Sequence, residues 1–379
     1  MSRRNIVLID HEPYSTRRRE LFYIDELRAS GYNVAVWDIS QLVFPGMKVT
    51  DEITESYLKK LSTITDLKAA LNHTDINDTI FIVECISNWK TRKIFLLLSE
   101  YRCVTVRIDM YANTIIKESL SEKLKRFLSG SFFKIIRGKI FFIAKKLYYK
   151  YHHIHFPCYY LSSSAIVNRT YQINHPDYEK YKYLPHPSAV NGKYIVFLDT
   201  YFPYHPDLKH FYQFNNDNIT ACAKKYHDSL NEFFSFLENK YQMPVIIAAH
   251  PKSAYTGEEF GGREIIKYQT DNLVTNSSLV VMQTSNSISY VALANKPIVF
   301  ILTDASNQIP RYKYATQLLA QLFNKKAYNI DKMRNRYSEI DCSQIDDDKR
   351  NAYIYTYLTS KDTENSKNID VIKSVLKQI

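Results

Sequence analysis

Short apolar runs that end on a polar residue recur along this chain, spaced by stretches of helical character. Asn5–Ile9 leads into Asp10, Asn33–Trp37 into Asp38 and Cys103–Ile108 into Asp109, while Thr79–Glu84 closes on its own acid. Further along, Tyr194–Leu198 leads into Asp199, Pro244–Ala249 into His250 and Leu279–Gln283 into Thr284, and Pro297–Leu302 follows. Unbroken apolar runs of this length suit strands covered on both faces. Their alternation with helices implies βαβ units and a parallel sheet.

The helical stretches between them are Arg17–Ser30 (stopped by Gly31), Thr54–Leu71, Lys90–Tyr101, Ile219–Tyr241 and Ser287–Ala294. Cys158–Leu161 reads as one more strand, running into Ser162-Ser163-Ser164. A chain of 379 residues exceeds one usual core, so two domains are expected. Tyr171–Gly192 breaks regular structure with His175-Pro176, Pro185 and His186-Pro187, as a connection between domains does. We expect α/β architecture in two Rossmann-like domains at residues 1–185 and 190–345, followed by a polar helical tail at 346–379.

An apolar content of 45% and a mean hydropathy of −0.33 fit a soluble globular protein. The five cysteines are scattered with no CxxC pair, which argues against a disulfide framework or a structural zinc site. The first apolar run, Ile6–Ile9, is too short for a signal peptide, so a reduced, cytoplasmic setting is expected.

The net charge of +11 points to an anionic partner. It concentrates between Ser121 and Lys150, where Arg126, Lys134, Arg137, Lys139, Lys145 and Lys146 stand among Phe, Ile and Leu residues against a single acid, Glu122. Lacking an unbroken apolar run of about 20 residues, the segment suits the surface of an anionic membrane rather than its interior. We expect the protein to be peripheral on the inner face of the cytoplasmic membrane. No recognised nucleic-acid motif is present, so nucleic acid is not an expected partner.

Ligands of open parallel sheets bind outside the carboxyl ends of the strands. Of four His-Pro pairs (His175, His186, His205, His250), only His250-Pro251-Lys252 follows a six-residue apolar run. Its imidazole can donate to a phosphate oxygen and Lys252 adds a charge. The turn Thr284-Ser285-Asn286-Ser287 offers hydroxyls and, if a helix starts near Ser287, free N–H groups for the same anion. Acids at strand ends, Asp10, Glu84 and Asp109, are candidate bases, with Asp10 favoured for its polar surroundings (His11, Glu12, Arg17, Arg18, Arg19) and Asp38 read as a helix cap. Asp199 is the matching acid of the second half. No HExxH occurs, and the one acidic run, Asp346-Asp347-Asp348, lies in the polar tail, so no metal or other cofactor is expected. Neither GxGxxG nor GxxxxGK[ST] occurs.

The strand followed by His-Pro ("VIIAAHPKSAY", Val245–Tyr255), together with "KYIVFLDTYFPYHPD" (Lys193–Asp207) and "NSSLVVMQTSNSISYVALANKPIVF" (Asn276–Phe300), resembles bacterial surface-polysaccharide glycosyltransferases of GT-B type. These include the sialyltransferase-like, capsule and lipopolysaccharide enzymes. The resemblance covers most of the second half. It implies two Rossmann-like domains facing a cleft, a nucleotide-sugar donor contacted by His250, Ser285 and Ser287, a glycan or lipid-linked acceptor held by the first domain, and metal-independent transfer. A CMP-linked nonulosonic acid is one donor it implies; UDP- and GDP-sugars are others. Many relatives carry a Glu in the helix after the Ser turn, where this chain has Ser289 and Tyr290, so ribose recognition by an acid is in question. Two other readings share the motifs: a polyol-phosphate transferase of teichoic-acid type, and a membrane-associated binding protein without catalysis.

Overall fold

The computed structural model describes residues 3–47, 51–109, 111–114, 132–205, 208 and 216–379. The chain forms two compact units, the first from the described parts of 1–112, 117–174 and 360–379, the second from 113–116 and 175–359. The chain therefore passes from the first unit to the second between Asn174 and His175, ahead of the 185–190 break expected from the prolines, and residues 360–379 return to the first unit.

The first unit is built on a seven-stranded parallel sheet. Its strands are β1 (Asn5–Asp10), β2 (Asn33–Asp38), β3 (Leu58–Lys60), β4 (Thr79–Glu84), β5 (Val104–Ile108), β6 (Tyr159–Ser162) and β7 (Tyr171–Gln172), in the order β3-β2-β1-β4-β5-β6-β7. Alternate residues face opposite cores, as the two-residue period of a strand requires. Ile6, Leu8, Val34, Val36, Ile80 and Ile82 pack with Ile24, Leu27 and the helix Asn368–Gln378 through Ile372, Val375 and Leu376. Val7, Ile9, Trp37, Phe81 and Val83 pack on the other face with Leu67, Leu71, Ile94, Phe95 and Leu98. The register sets Asp10 opposite both Asp38 and Glu84.

Two helices differ from the sequence reading. The expected helix Arg17–Ser30 is split at Tyr23, whose φ of 54° is left-handed, into Thr16–Leu21 and Ile24–Ala29. The expected helix Thr54–Leu71 starts only at Ile64, because Thr63 and Asp66 form a capping box. Leu58–Lys60, just before it, pairs with β2 instead.

The second unit repeats the plan with β8 (Ile195–Leu198), β9 (Val245–Ala249), β10 (Ile265–Lys267), β11 (Leu279–Met282), β12 (Ile298–Leu302) and β13 (Ala327–Asn329), all parallel, in the order β10-β9-β8-β11-β12-β13. The helix Asn216–Tyr241 covers one face with Tyr226, Leu230, Phe233, Phe234 and Leu237, the i, i+4, i+7, i+8, i+11 spacing of a single helical stripe. Asp346 caps the helix Asp347–Tyr353 by accepting from Lys349 N, which accounts for the acidic run.

Candidate functional site

In each sheet the strand order reverses direction between the first and fourth strands of the unit, and such switch points are where ligands meet strand ends. In the second unit Leu198 is in register with both Ala248 and Met282. The loops after β8, β9 and β11 therefore leave the sheet side by side, bringing Asp199, His250 and the 284–287 turn to one end of it.

Asp199 is buried and joins these loops. Its Oδ1 accepts from Tyr201 N (2.9 Å), and its Oδ2 accepts from His250 N (3.2 Å) and from the Tyr255 hydroxyl (2.9 Å). Burial pushes its pKa up to about 6, against the pull of those hydrogen bonds. As placed, the Asp199 carboxylate is closed in by three donors and ties the His250 loop to the end of β8.

His250 is held in a defined tautomer. Its Nδ1 accepts from Lys252 N at 3.1 Å, and its carbonyl accepts from Ser253 N at 2.9 Å. A ring nitrogen that accepts from an amide carries no proton, so in the neutral ring the proton sits on Nε2 and makes that atom a donor. The His205 ring meets the His250 ring edge-on at 4.7 Å. Lys252 is half-buried, and its ammonium has no partner among the described residues.

The Ser turn departs from expectation in its amides. The helix that follows it, Ile288–Leu293, has only six residues. Ile288, Ser289 and Tyr290 donate to the carbonyls of Ser285, Asn286 and Ser287, and Ser287 N donates to Ser285 Oγ (3.2 Å). The free helix-start N–H groups expected for an anion are thus already used. The hydroxyls of Thr284, Ser285 and Ser287, all half-buried, remain able to donate. Asn286 is structural: its carbonyl accepts from Asn113 Nδ2 (2.6 Å) and Ser289 Oγ (3.0 Å), and its Oδ1 accepts from the Thr114 hydroxyl (3.2 Å). Ser289, one of the two residues at the position where relatives carry a Glu, is buried in that clasp.

Sequence reasoning passed over Gln283, the residue after β11. It is fully buried, and its Oε1 accepts from the hydroxyls of Tyr226 (2.7 Å) and Tyr312 (2.9 Å), while Nε2 has no partner among the described residues.

At the strand ends of the first unit, Asp10 is fully buried. Its Oδ2 accepts from Arg18 Nε at 2.6 Å and its Oδ1 from Glu12 N at 3.0 Å. Burial raises its pKa and the Arg18 guanidinium opposes this. Asp10, the acid expected as base, is thus sealed and ion-paired with Arg18. Asp109 is likewise taken, by the Tyr160 hydroxyl (2.6 Å), the Ser162 hydroxyl (3.1 Å) and Tyr111 N (3.1 Å). Asp38 accepts from Ser40 N (2.8 Å) and Tyr14 N (3.3 Å).

His11 follows Asp10 at the end of β1 and is also buried. Its Nδ1 lies 2.7 Å from the carbonyl oxygen of Glu84, which also accepts His11 N at 3.1 Å. A carbonyl only accepts, so Nδ1 carries the proton and Nε2 presents a lone pair. Among the described residues Nε2 has no hydrogen-bond partner. The Glu84 side chain is buried, its Oε2 has no partner among the described residues, and burial pushes its pKa up to about 7 despite Arg107 and Arg18. The sequence showed His11 only as a neighbour of Asp10, because its role depends on a carbonyl 73 residues away.

Of the basic residues expected at a membrane, Arg126 lies outside the described residues. Lys134 and Arg137 belong to the helix Phe132–Tyr151, with side chains outside that set. Lys139 and Lys146 are exposed on it, whereas Lys145 differs from expectation by turning inward to donate to the Ser87 carbonyl (3.0 Å).

No protein-family model matches this sequence, and no curated protein matches it. Solved structures do. The chain superposes on the glycotransferase of kitacinnamycin with a TM-score of 0.53 at 11% identity, over 99% of this chain and 98% of that one. It superposes on the wall teichoic acid polymerase TagF with a TM-score of 0.50 at 12% identity, over 100% of this chain and 89% of that one. The fold is GT-B. At these identities the likeness speaks for the architecture of two Rossmann-like units. What a GT-B chain does depends on its site residues.

Proposed function

We propose that this protein is a glycosyltransferase that moves a sugar from a nucleotide-activated donor, bound by the second unit, to a hydroxyl of a glycan or lipid-linked acceptor, activated by the first. The observation that carries the reading lies in the second unit, where the sheet register brings His250, Lys252 and the hydroxyls of the 284–287 turn to one end of the strands; in the first unit, His11 carries its proton on Nδ1.

In the reaction, His11 Nε2 takes the proton of the acceptor hydroxyl as its oxygen bonds to the anomeric carbon. The bond from that carbon to the donor phosphate oxygen breaks, and the nucleotide leaves with the electron pair. His250 Nε2–H, the Lys252 ammonium and the hydroxyls of Thr284, Ser285 and Ser287 answer the charge on the departing phosphate. A base on the acceptor side fits a single displacement with inversion. With these groups neutralising the leaving phosphate, turnover should survive EDTA.

The motif resemblance supports a place in bacterial capsule or lipopolysaccharide synthesis at the inner face of the cytoplasmic membrane, with a CMP-linked nonulosonic acid as the first donor to try. A polyol-phosphate transferase is the competing reading, favoured by the shared fold with TagF. The deciding experiment is a thermal-shift panel with CMP, CDP, UDP and GDP, followed by donor turnover that includes CDP-glycerol. A ligand that binds only the folded state raises the melting temperature. Stabilisation by one nucleotide and sugar transfer from its conjugate support the reading. Turnover of CDP-glycerol alone replaces it with the competitor, and no shift and no turnover with any of them removes it.

A further inference from the structure

The helix Phe132–Tyr151 is amphipathic in an inverted sense. Its inner side is fixed by polar and aromatic contacts: Tyr149 hydroxyl to Ser87 Oγ (3.1 Å), Lys145 to the Ser87 carbonyl, and Tyr148 edge-on to Trp89 at 5.8 Å. One exposed stripe is aliphatic, with the exposed Phe141 and Phe142 lying off it. Ile140, Ile143 and Leu147 are 59%, 55% and 61% exposed, and Tyr151 extends the same stripe. Spacings of three and four residues put these side chains on one face. Lys139, Lys146 and Lys150, all exposed, run along one flank of that stripe, and residues 132–151 contain no Asp or Glu. Of the nine large apolar side chains exposed among the described residues, four (Ile140, Ile143, Leu147 and Tyr151) lie on this stripe. A solvated helix face carries polar residues, so a face built this way has an occupant.

We propose that this face docks on an anionic lipid surface. Ile140, Ile143 and Leu147 enter the boundary between headgroups and acyl chains, and Lys139, Lys146 and Lys150 stay at the level of the lipid phosphates, the arrangement of an interfacial helix. No helix among the described residues is long and apolar enough to cross a membrane, so the helix lies along the surface. Charge complementarity selects this occupant. A second copy of the chain pairing face to face would set its lysines against their own counterparts. A nucleic acid would satisfy the lysines and leave the aliphatic stripe in water. The proposal rests on the first unit alone and is independent of which group the protein transfers.

The test is co-sedimentation of the full chain with vesicles of phosphatidylcholine alone, or of phosphatidylcholine containing phosphatidylglycerol, at low and high salt. Three proteins are compared: wild type, I143S/L147S and K146E/K150E. Wild type should bind the phosphatidylglycerol vesicles, with binding weakened by salt and on neutral vesicles. Each double variant should lose at least tenfold in partitioning while keeping the wild-type melting temperature, as expected for changes at exposed positions. Absence of wild-type binding, or I143S/L147S binding like wild type, overturns the proposal. So does a wild-type dimer in sedimentation equilibrium that I143S/L147S converts to monomer. Because the readout is lipid partitioning, its failure leaves the nucleotide melting shifts untouched, and their failure leaves it untouched.

Discussion

The Nδ1 atom of His11 sits 2.7 Å from the carbonyl oxygen of Glu84, so a backbone group of β4 fixes the protonation of a side chain that follows β1. A main-chain carbonyl does not titrate. The tautomer that leaves Nε2 basic is therefore imposed by the sheet register, and it holds as long as β1 and β4 pair.

Removing that imidazole isolates its contribution. His11→Ala should lower kcat by about 10²–10⁴-fold, the range of general-base catalysis, and leave the nucleotide-induced melting shift intact. Single-turnover rates with saturating donor check this; an unchanged rate would show that another group takes the proton.

The donor side behaves in the opposite way. His250→Ala should abolish the nucleotide melting shift without lowering the melting temperature of the free protein, because Asp199 accepts from the backbone N–H of residue 250, which the variant keeps. Isothermal titration with the stabilising nucleotide measures the loss directly. Retained affinity would move the phosphate away from this turn.

Glu84 gives the protein a pH signature. Burial raises its folded pKa to about 7, above the ordinary carboxylate value of about 4.5, so the native state holds a proton that the unfolded chain has released. Stability should fall as pH rises from about 4.5 to 7, with the cost complete above pH 7. Glu84→Gln should remove that component and stabilise the protein above pH 7, by on the order of 2–3 kcal/mol. Urea unfolding of both proteins at pH 5, 6, 7 and 8 tests this. Asp199, at about 6, contributes in the same direction to both proteins, so the difference between them is the quantity to read, and parallel curves would count against the assignment.

The second core should be sensitive to volume. Phe234 is fully buried, with its ring 5.1 Å from that of Phe197 on β8. Phe234→Ala should cost about 3–5 kcal/mol, measured by urea unfolding. A cost under 1 kcal/mol would mean that the helix Asn216–Tyr241 is not seated on this sheet.

The strands legible in the sequence were those buried on both faces, such as β4 and β9, whose every residue is buried. The strands it missed, β3, β7, β10 and β13, are two or three residues long and half-exposed or exposed throughout, so no apolar run marks them. His250 could be singled out because it follows such a run. His11 could not, since its chemistry comes from β4 rather than from its neighbours in sequence. The Ser turn was found, but its amides were misread: whether an N–H is free depends on turn geometry that composition does not encode. Asp10 and Asp199 were found as charges at strand ends; that both are buried and hydrogen-bonded depends on tertiary contacts that composition does not encode.

The helix Asn368–Gln378 fills the core of the first unit beneath β1, β2 and β4. During synthesis this reverses the usual order of assembly. The second unit lies almost wholly within residues 175–359 and has its core elements in hand before residues 360–379 are made. The first sheet stays on the ribosome with Ile6, Leu8 and Ile80 only partly covered, by Phe22, Ile24 and Leu27, until a helix encoded more than 350 codons downstream of β1 arrives to complete that face.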